Sequence, residues 1–176
     1  MSNNIIKHGY WDGGLTTVVS AILDSRKQSV GVQTVVDFGA NVGWFSLLAA
    51  SKGHQVIAIE PMESNRKALM QSIALNRFDD SIELTGAALG DGNPLAPKEV
   101  CIGSKVKGSN TGNGETTEKS NDCAEVVPVM TLSSIIGKRK VDFLKADCEG
   151  CEANALLGMK NIIESKYRPC SMSIEL

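Results

Sequence analysis

The chain has 176 residues, of which 42% are hydrophobic and 22% are charged, with a formal net charge of −2 and a pI of about 5.7. This length suits one globular domain with a substantial core, so we predict a single domain over residues 1–176. The charge balance gives no electrostatic reason to expect a nucleic acid or an anionic membrane surface as a partner.

Three features of the sequence bear on the cellular compartment. No apolar run approaches the roughly 20 residues that span a bilayer, and the first residues lack the basic-then-apolar pattern of a secretory signal. The five cysteines, an odd number without a regular framework, favour reduced thiols over a disulfide scaffold. We therefore expect a cytoplasmic protein that has no membrane partner.

The first half of the chain alternates helical and strand patterns. Residues 1–30 form a predicted N-terminal helical segment, because Leu15, Val19 and Leu23 recur on one helical face. The β-branched run Thr34–Phe38, stopped by a glycine, predicts a buried strand. The next predicted elements are a helix around residues 47–50, a strand at 55–59, a helix ending near 76 and a strand at 82–88.

The second half begins with a polar stretch at residues 91–125, for which we predict a long loop, disordered in its middle, with a short strand at 100–102. Further predicted elements are an extended segment at 126–129, a helical turn at 131–136, a strand at 141–146, a helix at 151–166 and a final strand at 171–176. Alternating strands and helices predict an α/β fold with a mainly parallel sheet. Such a sheet binds ligands at the carboxyl ends of its strands.

Acidic residues and glycines follow three of the predicted strands. The first strand runs into the turn Asp37-x-Gly39-x-x-x-Gly43, whose glycines permit positive φ angles and close backbone approach. Glu60 ends the next strand, where an acid can accept both ribose hydroxyls of an adenosine. The third feature is the segment 145–150, which stands at the end of the strand at 141–146 and contains Asp147.

The spacing of these residues indicates the class of ligand. A dinucleotide site needs Gly-x-Gly-x-x-Gly, and Asp37 inside the turn would repel a pyrophosphate. A phosphate-binding loop of the Gly-x-x-x-x-Gly-Lys-Ser/Thr kind is absent from the sequence. Asp37 can meet a cationic amino group and Glu60 a diol. We therefore predict S-adenosylmethionine (SAM), which has a sulfonium, an amino group, a diol and no phosphate.

The same residues carry a family resemblance. Four ordered blocks resemble the FkbM-type SAM-dependent methyltransferases, namely 36–46, 59–61 with 74–76, 86–91, and 131–132 with 141–152. The resemblance implies a Rossmann-like SAM-methyltransferase fold with a mainly parallel sheet. That sheet usually has seven core strands, and this chain holds about five, so we expect it to be truncated at its C-terminal end. The family also implies O-methylation of a hydroxyl on a small molecule or sugar.

Site residues carried over by position follow from that resemblance. The methionine end of SAM would be held by Asp37, Gly39, Ala40, Asn41 and Gly43. The remaining cofactor-binding residues would be Glu60 at the ribose, Pro61 beside it, and Met62 and Ala88 on the two sides of the adenine.

The catalytic residues would be Asp147 and Glu149, facing the acceptor hydroxyl, with Lys145 nearby. Removing the hydroxyl proton needs a general base, and we predict Asp147 for that role and Glu149 as an orienting group. The two acids also suit a plain structural role as caps of the following helix. No metal site is predicted.

Other interpretations stay open or are disfavoured. Cys148 and Cys151 form a Cys-x-x-Cys that invites a redox or zinc interpretation, but no second such pair stands nearby, so packed thiols are favoured. His54, just before a strand, suggests a surface turn.

A nicotinamide-dependent oxidoreductase is disfavoured by the glycine spacing. The alternative to an enzyme is a non-catalytic SAM-binding module that lacks part of the substrate pocket. The alternating final strand suggests a homodimer formed through that edge.

Overall fold

The protein is described by a computed structural model, which covers residues 2–93, 95, 98–104, 116–117, 123–148 and 151–174. In chain order these residues form α1 (Ser2–His8), α2 (Gly13–Val30), β1 (Thr34–Phe38), α3 (Trp44–Ser51), β2 (Gln55–Ile59), α4 (Glu63–Asn76), β3 (Ile82–Thr85), β4 (Ala88–Leu89), β5 (Glu99–Ser104), β6 (Thr116–Thr117), β7 (Cys123–Met130), α5 (Leu132–Ile136), β8 (Phe143–Ala146), α6 (Glu152–Leu157), α7 (Lys160–Ile163) and β9 (Ser171–Ile174).

The main sheet has five strands in the order β3-β2-β1-β8-β9, and every neighbouring pair is parallel. Phe38, at the end of β1, lies opposite Ile59 of β2 and Ala146 of β8. The carboxyl ends of these three strands are therefore level with one another. This architecture confirms the predicted α/β fold with a mainly parallel sheet.

Both faces of the central strands are covered, as the nearly continuous apolar runs of β1 and β2 require. Successive side chains of a strand point to opposite faces. Val35 accordingly packs with residues of α2, α3 and α4, whereas Val36 packs with residues of α5, α6 and α7. The sheet is thus a buried layer between two groups of helices.

A second, smaller sheet has the order β4-β7-β5-β6. The short strand predicted at 100–102 is part of β5 and the extended segment predicted at 126–129 is part of β7, but their union in a separate sheet was not predicted. The predicted strand at 82–88 ends at Thr85, and Ala88–Leu89 pairs in parallel with β7 instead. β5 pairs antiparallel with β7, so the flanks of the predicted loop are extended strands. The predicted disorder in the middle of that loop concerns residues 105–115 and 118–122, which lie outside the described residues.

The predicted helix at 151–166 is two shorter helices, α6 and α7, which are separated by Gly158 and Met159. A Cβ at Gly158 would lie 2.2 Å from the carbonyl oxygen of Gly90. This close approach brings the backbone after α6 against the strand exit of β4. The second helix, α7, begins two residues later at Lys160.

Four of the five cysteines are paired in disulfides, so the prediction of reduced thiols is wrong for them. Cys101 bonds Cys123 across β5 and β7, and Cys148 bonds Cys151 between β8 and α6. Cys170 is free and exposed. Because disulfides are typical of oxidising compartments, the cysteines no longer support a cytoplasmic location.

Two further expectations concern surfaces. His54 is fully buried rather than on a surface turn, its Nδ1 accepts a hydrogen bond from the backbone N–H of Gln33, and burial lowers its pKa. β9 is an edge strand of the main sheet among the described residues, and the proposed dimer contact through it stays a prediction. Within the described ranges, no helix is both long enough and apolar enough to cross a bilayer.

Candidate active site

Most of the predicted site residues gather at the carboxyl edge of the main sheet. Asp37 and Lys145 are the second-to-last residues of β1 and β8, and Glu60 and Asp147 directly follow β2 and β8. Because β1 lies between β2 and β8, these side chains come from three adjacent strands. Glu149 lies outside the described residues, so its predicted role stays a prediction.

Position 39 needs a glycine because the backbone of another segment lies directly against it. Its φ is +73°, and a Cβ there would lie 1.5 Å from the carbonyl oxygen of Asp147. The backbone N–H of Asp147 also donates to the carbonyl of Phe38 at 3.1 Å. The segment that follows β8 therefore crosses directly over the first glycine of the turn, which joins two of the three predicted motifs in space.

The rest of the turn is held by β2 and α4. The backbone N–H groups of Gly39 and Ala40 both donate to the carbonyl of Ile59, at 3.0 and 3.1 Å. Gly43 has a φ of +92°, and a Cβ there would lie 2.1 Å from Leu69 Cδ1. The second glycine therefore lets α4 pack closely against the start of α3, a structural reason that ligand chemistry alone did not suggest.

Glu60 is 4% exposed, and protein donors surround its carboxylate. Its Oε2 accepts from the backbone N–H of Asn41 at 2.8 Å, and its Oε1 accepts from the N–H of Met62 at 2.9 Å and from the Asn65 side chain at 3.2 Å. Burial raises the pKa of Glu60, and these hydrogen bonds oppose that rise. The carboxylate is thus fixed between the turn after β1 and the start of α4.

Asp37 forms the buried end of a row of charges. Its side chain is 1% exposed, its Oδ2 accepts from the Ser46 hydroxyl at 2.6 Å, and its Oδ1 lies 3.4 Å from Lys145 Nζ. Lys145 Nζ also lies 3.2 Å from Asp147 Oδ2, and the Asp147 side chain is 28% exposed. The row therefore runs from the interior at Asp37, through Lys145, to solvent at Asp147.

Lys145 is held as a cation despite its burial. Burial pulls its pKa down, but the carboxylates of Asp37 and Asp147 outweigh that effect, so the pKa lies above its ordinary value. Its ammonium also donates to the carbonyl of Gly39 at 3.3 Å and lies 5.2 Å from the centre of the Phe45 ring. The sequence predicted Lys145 only as a neighbour, whereas the structure makes it the link between two acids.

An apolar pocket lies beside these charges. It has about 30 Å³ of free space and is lined by Phe38, Gly39, Ile59, Pro61, Ala87, Ala88, Leu89, Cys148 and Cys151. Met62 is not on that wall but packs in one small cluster with Ala88 and the strands β5 and β7. The two residues expected to flank an adenine are therefore close to each other.

Two polar residues next to the site were missed by the sequence analysis. Arg66 donates to the carbonyls of Glu60, at 3.2 Å, and of Pro61, and it forms an ion pair of 2.9 Å with Glu125 of β7. Glu125 also accepts from the backbone N–H of Glu63 at 2.7 Å. No local pattern marks this contact, because Glu125 belongs to the small sheet.

Metal ligation finds no support in this part of the molecule. Among the residues that the structure describes, no group of three or more histidine, cysteine or acidic side chains is arranged to hold a metal ion. The charges at the strand ends are instead balanced by Lys145 and by backbone N–H groups.

The methyltransferase FkbM domain family matches residues 37–176, which covers the glycine turn and everything after it. The chain belongs to this family. No curated protein matches the chain. The family assignment confirms the resemblance on which the site residues were placed, and it makes the protein a member of a methyltransferase family.

Solved structures of methyltransferases share the fold. A methyltransferase from Geobacter sulfurreducens is 17% identical with a TM-score of 0.50, over 90% of this chain and 62% of that one. A putative caffeoyl-CoA O-methyltransferase from Staphylococcus aureus is 11% identical with a TM-score of 0.50, over 83% and 52%. WbdD is 21% identical with a TM-score of 0.41, over 48% of this chain and 19% of WbdD. The chain thus spans less than two thirds of each of these structures. The likeness to the first two concerns the Rossmann-like methyltransferase fold alone.

Proposed function

We propose that this protein binds SAM and transfers its methyl group to a hydroxyl oxygen of a small molecule or sugar. Membership of the FkbM methyltransferase family supports the reaction class. The observation that carries the proposal is the alignment of Asp37, Glu60 and Asp147 along the ends of three adjacent parallel strands. Ligands of open α/β sheets bind at this edge.

The chemistry of the described side chains fits SAM better than a phosphate-bearing cofactor. Asp37, Glu60 and Asp147 put three carboxyl groups at these strand ends, and the ammonium of Lys145 is already shared between Asp37 and Asp147. An excess of carboxyl groups favours a cationic ligand and opposes a pyrophosphate. Glu60 offers a fixed carboxylate for the ribose hydroxyls, and the pocket beside Pro61 and Ala88 offers apolar walls for the adenine.

Each residue of the row has a separate task in the proposed reaction. When bound, SAM supplies an electrophilic methyl group. Asp147, the solvent-reaching end of the row, accepts the proton of the acceptor hydroxyl on its carboxylate as the oxygen attacks. Lys145 fixes the orientation of Asp147 from 3.2 Å and is itself anchored by Asp37. Positioning of both substrates accounts for the rest of the rate enhancement.

Calorimetric titration of the full chain tests the cofactor assignment. We expect a saturable isotherm with SAM and with S-adenosylhomocysteine, and none with NADH. Glu60→Ala should weaken SAM binding at least tenfold, because the ribose loses its carboxylate, whereas Glu83→Ala on the distant end of β3 serves as the control. Binding of NADH in place of SAM would overturn the assignment.

Replacement of Asp147 by Asn tests the proposed base. We expect turnover, followed as S-adenosylhomocysteine release with a panel of hydroxylated acceptors, to fall by about 10²–10⁴, while the dissociation constant of SAM changes little. Asp24→Asn, at an exposed ion pair with Lys52, is the matched control. Near-normal turnover of the Asp147 variant would show that another group is the base. SAM binding without turnover of any acceptor would instead favour the non-catalytic module.

A further inference from the structure

Ser46 is a fully buried residue that touches the inner end of the row of charges. It lies in the first turn of α3, the helix that begins directly after the glycine turn. Its side chain is shielded from solvent, and its hydroxyl donates to Asp37 Oδ2 at 2.6 Å. The ring of the preceding residue, Phe45, is centred 5.2 Å from Lys145 Nζ. The start of α3 therefore contacts both buried members of the row.

The ammonium of Lys145 is shared among three oxygens of the described residues. They lie at similar distances from Nζ, namely the carbonyl oxygen of Gly39 at 3.3 Å, Asp37 Oδ1 at 3.4 Å and Asp147 Oδ2 at 3.2 Å. An ammonium has three N–H donors. One proton can therefore serve each of these oxygens, and none is left for a second oxygen of either acid.

The second oxygen of Asp37 needs a donor of its own, because a buried charge without partners is costly. The Asp37 side chain is 1% exposed and that of Asp147 is 28% exposed, so the ammonium is attracted more strongly by Asp37. The Ser46 hydroxyl supplies a donor to Oδ2. Asp37 can then be satisfied by one N–H of Lys145, which leaves another for Asp147.

We propose that Ser46 is a positioning residue of the methyl-transfer site, because its hydroxyl keeps the ammonium of Lys145 shared between Asp37 and Asp147. Without this hydroxyl, Asp37 Oδ2 lacks its donor and the carboxylate draws Lys145 inward. Asp147 then loses the contact that orients it towards the acceptor. This inference rests on the proposed function, in which Asp147 is the base.

Replacement of Ser46 by Ala tests the proposal with two measurements on the full chain. Turnover at saturating SAM is followed as S-adenosylhomocysteine release with the acceptor that the wild type methylates fastest, and SAM affinity is measured by calorimetry. We expect turnover to fall by about tenfold or more, because a displaced base reacts poorly. The SAM dissociation constant should change by less than about threefold, since Glu60 keeps its own hydrogen-bond donors.

The matched control is Ser51→Ala, which removes a hydroxyl from the other end of α3. The Ser51 hydroxyl is exposed and donates to the carbonyl of Leu48 at 2.8 Å, so its loss should leave turnover and SAM affinity unchanged. Ser46→Cys nearly keeps the size of the side chain but makes it a weak donor. Its turnover should lie between those of the wild type and Ser46→Ala, and it takes the place of the alanine variant if that variant does not fold.

A double-mutant cycle separates positioning from a general effect on α3. If Ser46 acts through Lys145 on Asp147, its replacement should lower turnover no further once residue 147 is Asn. D147N and S46A/D147N should therefore turn over at rates within about twofold of each other. A loss caused by a less stable α3 would instead multiply the loss caused by D147N.

The outcomes separate the two proposals. Normal turnover of S46A, or the same further loss in the D147N background, would overturn the positioning role and leave the proposed function standing. A loss of SAM affinity as large as the loss of turnover would overturn it as well, because Ser46 would then act through cofactor binding. A wild type that methylates none of the hydroxylated acceptors would overturn the proposed function, and the positioning role with it.

Discussion

Lys145 is the side chain on which the candidate site depends most. It is 3% exposed, and its ammonium is the cation that faces the buried carboxylate of Asp37. Burying a charge without a partner is costly, and removal of one member of a buried pair leaves such a charge behind. The residue therefore matters for stability as well as for the orientation of Asp147.

Lys145→Met should lower the free energy of unfolding by about 3–5 kcal/mol, because Asp37 then stays buried without a cation. Urea denaturation followed by circular dichroism measures the change. The control is Lys160→Met, which removes an exposed pair with Glu164 at 3.9 Å and should change little. The double variant D37N/K145M should recover part of the loss. A Lys145 variant as stable as the Lys160 variant would contradict the prediction.

The raised pKa of Glu60 makes the stability of the folded protein depend on pH, and the direction of that dependence can be predicted. Because burial raises its pKa in the folded protein above the ordinary value of 4.5, the folded state binds the proton more tightly than the unfolded chain does. The contribution of Glu60 to stability is therefore fully present below pH 4.5 and is lost as the pH rises through the raised pKa.

The measurement compares the unfolding free energies of the wild type and Glu60→Gln at a series of pH values. The wild type minus variant difference should decrease as the pH rises from 4.5 and then level off above the raised pKa. Glutamine does not titrate, so groups common to both proteins cancel. A difference that is flat, or that grows with pH, would show that Glu60 is not shifted upward.

At the scale of elements, the small sheet supports the loop that holds Glu60. Glu125 of β7 accepts from the N–H of Glu63, at the start of α4, and pairs with Arg66 one turn later. Arg66 in turn donates to the carbonyls of Glu60 and Pro61. β7 therefore caps α4 from outside the helix and steadies the backbone between β2 and α4.

Glu125→Ala should lower the unfolding free energy by about 1–2 kcal/mol, the usual effect of losing a helix cap together with a partly buried ion pair. It should also weaken SAM binding, because the loop that carries Glu60 loses its support. Thermal denaturation and calorimetry measure the two effects. Glu83→Ala removes a more exposed pair with Arg139 and provides the comparison. Equal effects of the two variants would rule out a special role for Glu125.

At the scale of the whole molecule, the sequence predicted the main sheet well but did not predict that a second sheet forms. β1 and β2 have the predicted bounds, because buried β-branched runs with clear stops define a strand locally. The transfer of Ala88–Leu89 to a second sheet depends on pairing with β7, which no local pattern contains. The disulfides were missed for the same reason, since their formation depends on distances between elements.

The candidate site was likewise predictable only in part from the sequence. Asp37, Glu60 and Asp147 could be assigned to one edge because parallel strands bring their carboxyl ends together. Their partners could not be assigned, since Lys145 and Gly39 are 106 positions apart and meet only in the folded sheet. The cofactor contacts of these residues stay predictions.

The place of β1 between β2 and β8 has a consequence for how the protein is made. During synthesis β2 follows β1 closely, but β8 emerges only after α4 and the whole small sheet. The 106 positions between Gly39 and Lys145 take roughly 5–20 seconds to translate at about 5–20 residues per second. For that time the nascent turn has no covering strand, and Asp37 has no ammonium to face. The site therefore stays incomplete until β8 has left the ribosome.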